Sequence, residues 1–117
     1  MNKTSLGKYG EDLAVGFLKK QGYVILDRNF RIRGGEIDII AIDGKVVVYV
    51  EVKTRSSHQF GRPEESVTYS KLRFLERASK FYRANHKNLP EQERIDVLAV
   101  DLSAMDPAFN LIKNASL

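Results

Sequence analysis

The stretch from Gly35 to Arg55, GEIDIIAIDGKVVVYVEVKTR, constrains this chain more than any other. Two apolar runs flank Asp43-Gly44. An Asp-Gly pair between such runs signals a tight hairpin, because the central positions of the turn favour positive φ. The second run, Lys45 to Lys53, carries Val46, Val47, Val48 and Val50 and is nearly apolar on both faces. That pattern predicts a central strand covered on each side. Acidic residues interrupt the pattern at Asp38 and at Glu51-Val52-Lys53. Residues two apart in a strand share a face, so Glu51 and Lys53 point the same way, and the hairpin brings Asp38 beside them. Two carboxylates and an amine at one end of a buried hairpin are costly unless they are paired or bind something.

The rest of the chain supplies a scaffold for this hairpin. Leu6, Leu13, Ala14, Phe17 and Leu18 recur at helical spacing and predict a helix over Ser5–Gln21, with Gly22 as its stop. Gly7, Gly10 and Gly16 disfavour a helix and are read as points where another backbone comes close. A strand is predicted over Tyr23–Phe30, followed by an exposed stretch to Gly35 that contains Arg31 and Arg33. Strands over Glu36–Ile42 and Lys45–Lys53, a polar loop over Thr54–Ser66 and a helix over Tyr69–Asn85 capped by Thr68 come next. Leu72, Leu75, Ala78 and Tyr82 form the apolar stripe of that second helix. A strand over Ile95–Leu102 and a short one over Phe109–Ile112 close the chain. The order α-β-β-β-α-β-(β) predicts one α/β domain over residues 1–117, a mixed central sheet with helices on both faces.

Composition narrows the function classes. With no cysteine, disulfides and cysteine-based zinc sites are excluded. No apolar stretch reaches the length of a membrane span, and MNKTSLGKYGEDL has no signal-peptide core, so a cytoplasmic location is expected. A formal charge of +4 permits a polyanionic partner without requiring one.

Hard cations such as Mg²⁺ take oxygen ligands and use one or two carboxylates together with substrate phosphate and water. Asp38 and Glu51 offer the carboxylates, and the Val52 carbonyl offers a further hard oxygen. Lys53 beside them suits the negative charge that develops in a phosphoryl displacement. Taken singly, each acidic residue also reads as a plain strand-end surface pair, which is worth little.

The arrangement resembles the PD-(D/E)XK nuclease superfamily, whose core is α-β-β-β-α-β. Glu51-Val52-Lys53 matches its E-x-K and Asp38 its upstream aspartate, while Ile37 stands where its loosely kept proline would be. Gly7-Lys8-Tyr9-Gly10-Glu11 as GxxxE, then GEIDIIA and VYVEVKTR, resemble the YraN family of small bacterial proteins from about Gly7 to Val100. The motifs are also similar to those of archaeal Holliday junction resolvases. The resemblance implies a restriction-endonuclease-like fold, with Asp38 and Glu51 as ligands of Mg²⁺ or Mn²⁺ and Lys53 as the catalytic lysine. Glu11 would approach the metal from the first helix, directly or through water. It implies a metal-dependent endonuclease acting on DNA, with branched DNA the analogy from the resolvases and a homodimer the matching assembly.

Around such a site Arg31, Arg33, Arg55 and Lys71 are the candidates for holding phosphates; each alone also reads as a solvated surface residue. Arg73, Arg77, Lys80 and Lys87 on the second helix read as a solvent face. His58 and His86 have no partner at metal-ligand spacing, and Gln59 and Tyr69 are weak candidates for supporting the site. Two rivals stand beside the nuclease. A nucleic-acid-binding module that keeps the fold without the chemistry would be expected to have lost one of Glu11, Asp38, Glu51 and Lys53. A two-carboxylate glycosidase is disfavoured by the ammonium beside Glu51 and by the absence of tryptophan.

Overall fold

The computed structural model describes residues 5–56 and 68–115. Most of the expected polar loop, with His58, Gln59 and Arg62, lies outside them. The elements are α1 (Ser5–Lys20), β1 (Val24–Ile32), β2 (Gly35–Asp43), β3 (Val46–Arg55), α2 (Tyr69–Asn85), β4 (Gln92–Asp101) and β5 (Ala108–Ile112). The five strands form one sheet in sequence order. Only β3 and β4 run parallel, and α2 makes the crossover between them. This is the α/β architecture with a mixed sheet and helices on both faces, compatible with a restriction-endonuclease-like core.

Burial explains the layers. Ala14 and Leu18 of α1 pack with Ile39, Ala41, Val48, Val50, Leu98 and Val100 on one face. Phe74, Leu75, Ala78 and Tyr82 of α2 pack with Ile37, Ile40, Val47 and Tyr49 on the other. β3 therefore sends alternate side chains into two cores, as its unbroken apolar run requires. Thr68 caps α2, its hydroxyl accepting from the Lys71 N–H at 3.1 Å. α1 ends where Gly22 takes φ 93°, and the Tyr23 N–H returns to the Leu18 carbonyl at 3.0 Å.

Three local expectations need correction. Asp43 pairs with Val46, so the hairpin turn is Gly44-Lys45, shifted by one residue from Asp43-Gly44. Only Gly44, at φ 63°, has a positive φ there, which a turn with glycine at its first central position allows. Asp43 stays in the strand and accepts a hydrogen bond from Arg94. The first strand does not stop at Phe30: β1 extends through the exposed Arg-rich stretch to Ile32 and joins β2 through a turn at Arg33-Gly34. β3 likewise continues through Thr54 to Arg55, where the sequence suggested loop.

The glycines of α1 differ in purpose. A Cβ on Gly10 would clash with Thr54 Oγ1, so this helix comes so near β3 at Thr54 because Gly10 has no side chain. Nothing lies within 4 Å of a Cβ on Gly16. Gly16→Ala is expected to stabilise the protein by about 0.5–1 kcal/mol, while Gly10→Ala destabilises it by ~1–3 kcal/mol. Urea denaturation of the two variants checks both signs.

Three tyrosine hydroxyls bond to carboxylates on other elements. Tyr23 donates to Asp96, Tyr49 to Glu93 and Tyr82 to Asp27. Burial first, and the carboxylate partner second, push Tyr82 up to about 12 from an ordinary 10.0. Tyr23 and Tyr49 move the same way for the same reasons. A raised phenol stabilises the fold fully below its unfolded value and loses that contribution as pH rises through the folded one. Stability should therefore fall above about pH 10. Tyrosinate absorbance is expected to show three phenols that stay protonated in the native protein at about pH 11 and ionise at once in denaturant.

Candidate metal and phosphate site

The pairing of β2 with β3 ends at Ile39–Val50, whereas β3 stays paired with β4 through Arg55–Asp101. Beyond Val50 the β2-side edge of β3 is therefore free of ladder partners, and here the acidic residues gather. Asp38 turns its carboxylate along this gap, and Oδ2 accepts the Val52 N–H at 2.8 Å. That N–H belongs to the peptide joining Glu51 to Val52, so Asp38 lies against the backbone of the E-x-K triplet.

Alternation along β3 puts Val48, Val50 and Val52 on the α1 face and Val47 and Tyr49 on the α2 face. Glu51 and Lys53 then share the α2 face. Contacts agree: Lys53 Nζ lies 3.4 Å from Glu51 Oε1, and Lys71 Nζ, from the first turn of α2, lies 3.1 Å from Glu51 Oε2. Lys71 also donates to the Glu36 carbonyl at 3.1 Å and stands 5.4 Å from the centre of the Phe74 ring. Phe74 in turn rests on the β1–β2 turn, 3.3 Å from where a Cβ on Gly35 would be. The absence of a side chain there lets α2 come down far enough to bring Lys71 to Glu51. Asp38, Glu51, Lys53 and Lys71 together carry no net formal charge.

Glu11 sits apart. It is 2% exposed on α1, on the other side of the sheet, and accepts from Asn29 Nδ2 at 2.9 Å and Arg28 Nη2 at 3.4 Å. Among the described residues no three acidic or histidine side chains form a group that could hold a metal ion. Glu11, Asp38 and Glu51 therefore do not make a three-carboxylate cage. Asp38 touches the backbone at Val52, one residue past Glu51; two carboxylates and a backbone oxygen are a hard-oxygen set of the size Mg²⁺ accepts.

The outer basic residues are distributed differently. Arg31 is half-exposed and bonded to Glu36 at 2.9 Å. Arg33 occupies the exposed β1–β2 turn. Arg55 follows the site on β3 and donates to the Thr54 carbonyl at 2.9 Å. His86 stacks on Tyr82 at 3.8 Å, far along α2 from Lys71.

Asn29 is a neighbour of the site that sequence reasoning missed. It holds φ 54°, and it falls between the rungs Arg28–Ile39 and Phe30–Ile37, as Asp38 does on the other strand. Both strands change face there: Arg28 reaches α1 residues while Phe30 packs in the α2 core, and Ile39 and Ile37 divide the same way. An asparagine in a predicted strand directly after an arginine gives little signal by itself, although asparagine tolerates the left-handed region better than most residues.

No helix among the described residues is long and apolar enough to cross a membrane. The model of the uncharacterised protein family UPF0102 matches residues 10–100, from the α1 glutamate through β4. A UPF0102 protein of Caldicellulosiruptor saccharolyticus is 48% identical over 98% of this chain and 99% of its own length. Those of Geobacter metallireducens and Dictyoglomus turgidum are 45% and 38% identical, covering 98% and 94% of this chain and 94% and 93% of their own. With most of the first helix and all of the hairpin and the crossover inside the matched range, this chain belongs to the uncharacterised protein family UPF0102, the YraN family.

Proposed function

We propose that the protein is a metal-dependent phosphodiesterase acting on DNA. One observation carries this reading: Glu51 meets two ammonium groups, one on each carboxylate oxygen, at the point where Asp38 lies against its peptide. A structural ion pair needs one lysine. Two lysines and two carboxylates at a ladder end suit a cation and a phosphate that share the site.

Asp38, Glu51 and the Val52 carbonyl would hold Mg²⁺ or Mn²⁺. Such a cation supplies Lewis-acid polarisation of a phosphoryl oxygen and a more acidic water. Lys53, fixed by Glu51, places its ammonium where negative charge grows on the phosphoryl group. Lys71, anchored by the Glu36 carbonyl, offers a second positive charge to a non-bridging phosphate oxygen. Arg31, Arg33 and Arg55 lie further out and suit contacts to neighbouring phosphates, which position a strand without reading its sequence. A branched or otherwise structured substrate and a homodimer extend the same reading. A non-catalytic DNA-binding module is the alternative, favoured by the removal of Glu11 to the other face.

The test is a panel of linear, single-stranded, flapped and four-way DNA with Mg²⁺, with Mn²⁺ and with EDTA. Metal-dependent cutting of at least one substrate is expected. Binding without cutting on every substrate would leave the module as the better reading.

A further inference from the structure

Asn29 carries an unfilled acceptor. Its Nδ2 donates to the buried Glu11 carboxylate at 2.9 Å, which fixes the orientation of the amide, because a flipped amide would set its oxygen against a carboxylate oxygen. Oδ1 is then left buried without a hydrogen-bond partner, the one such side-chain atom among the described residues. A buried polar atom without a partner is expensive, and native proteins rarely keep one unless something fills it. Its backbone compounds the cost, since a left-handed φ of 54° in a strand is unfavourable for a residue with a side chain. Asn29 also lies at the one rung where Asp38 leaves regular alternation.

We infer that Asn29 is a positioning residue of the carboxylate site: it holds Glu11 through its amide N–H and supplies a neutral oxygen, Oδ1, to the hydrated cation at Asp38. This rests on the cation reading proposed above. It gives Glu11 a part without requiring direct contact with the metal, because Glu11 takes the amide N–H and leaves Oδ1 as the end without a partner. An amide carbonyl is a hard oxygen of the kind Mg²⁺ and Mn²⁺ accept, directly or through a shell water.

The experiment compares Mn²⁺ binding by calorimetry, and thermal midpoints in EDTA and in Mn²⁺, for wild type, Asn29→Gly and Asn29→Asp. Glycine removes the amide but suits the left-handed backbone. Aspartate keeps an oxygen at the Oδ1 position and adds charge. Asn29→Gly is expected to weaken Mn²⁺ binding by about 10-fold or more and to lose most of the midpoint rise that Mn²⁺ gives wild type. Asn29→Asp is expected to bind Mn²⁺ at least as tightly as wild type, even if its midpoint in EDTA falls. Asn29→Gly binding Mn²⁺ as wild type does, with only its EDTA midpoint lowered, would make the role purely structural and overturn the inference. Wild type that binds no Mn²⁺ would instead overturn the cation reading, and the inference with it.

Discussion

Replacing Glu51 with glutamine is expected to lower metal-dependent DNA cleavage by at least about 10²-fold, with the fold intact. The substitution keeps shape and removes charge. It takes away a proposed cation ligand and leaves Lys53 and Lys71, 3.4 and 3.1 Å from its oxygens, without their shared counter-charge. Lys53→Ala is expected to cost about 10²–10³-fold, mainly in kcat, because its ammonium meets charge that exists only in the transition state. Lys71→Met should differ in kind. An ammonium that meets the ground-state phosphate contributes to binding substrate and transition state alike, so its loss raises KM more than it lowers kcat. Steady-state kinetics on whichever DNA is cut, with circular dichroism as the folding control, separate the three. Equal losses in kcat and KM for Lys53→Ala and Lys71→Met would contradict the division of labour.

Asp96→Ala is expected to destabilise the protein by about 3–5 kcal/mol without reaching the site. Asp96 is fully buried and accepts from Tyr23 at 2.8 Å, from Arg94 Nε at 2.9 Å and from the Asn114 N–H at 3.0 Å. Arg94 also reaches Asp43 at 2.6 Å. The network ties the residue before β1, the end of β2 and β4 together on the face of the sheet opposite the Glu51 side chain. Removing Asp96 leaves the largely buried Arg94 with Asp43 alone and takes the acceptor from the Tyr23 hydroxyl and the Asn114 N–H, so the penalty is that of several buried donors losing one charged partner. Against a total stability of ~5–15 kcal/mol the loss is severe, and urea denaturation at neutral pH measures it. Acid weakens the same clamp. The hydrogen bond from Arg94 holds the Asp43 carboxyl below its ordinary 3.8. Its contribution is therefore present above that value and lost as pH falls through the lower, folded-state one.

The parts of this fold that could be read from sequence are those set by local periodicity and caps. α2 runs from Tyr69 to Asn85 behind a Thr68 cap, because one stripe and one hydroxyl suffice to define it. The two-sided burial of β3 follows from its valines in the same way. Glu51 and Lys53 share a face because a strand repeats every two residues. What could not be read depends on partners far apart in the chain. Tyr23, Arg94 and Asp96 span more than 70 residues, and nothing near any of them announces the others. The hairpin turn moved by one residue because Asp43 is held by Arg94, a distant pull that outweighs local turn preference. Lys71 read equally well as surface or site until the bare backbone at Gly35 let Phe74 settle and carry it inward. The immediate partners of Glu11, Asn29 and Arg28 on β1, could not be read either, since motif spacing does not tell which face of a sheet a helix covers. Asn29 was overlooked because alternation, the rule used to assign faces, breaks at its own rung.

Asp38, Glu51 and Lys53 are proposed to form one hydrolytic site. Its most direct test is single-turnover cleavage of labelled DNA in Mg²⁺ by wild type and by Lys53→Ala, purified in parallel. Wild type is expected to cut, EDTA to stop it, and Lys53→Ala to cut at least about 10²-fold more slowly. Equal cutting by the two proteins would contradict the proposed site, because the activity would then belong to some other site or to another protein in the preparation.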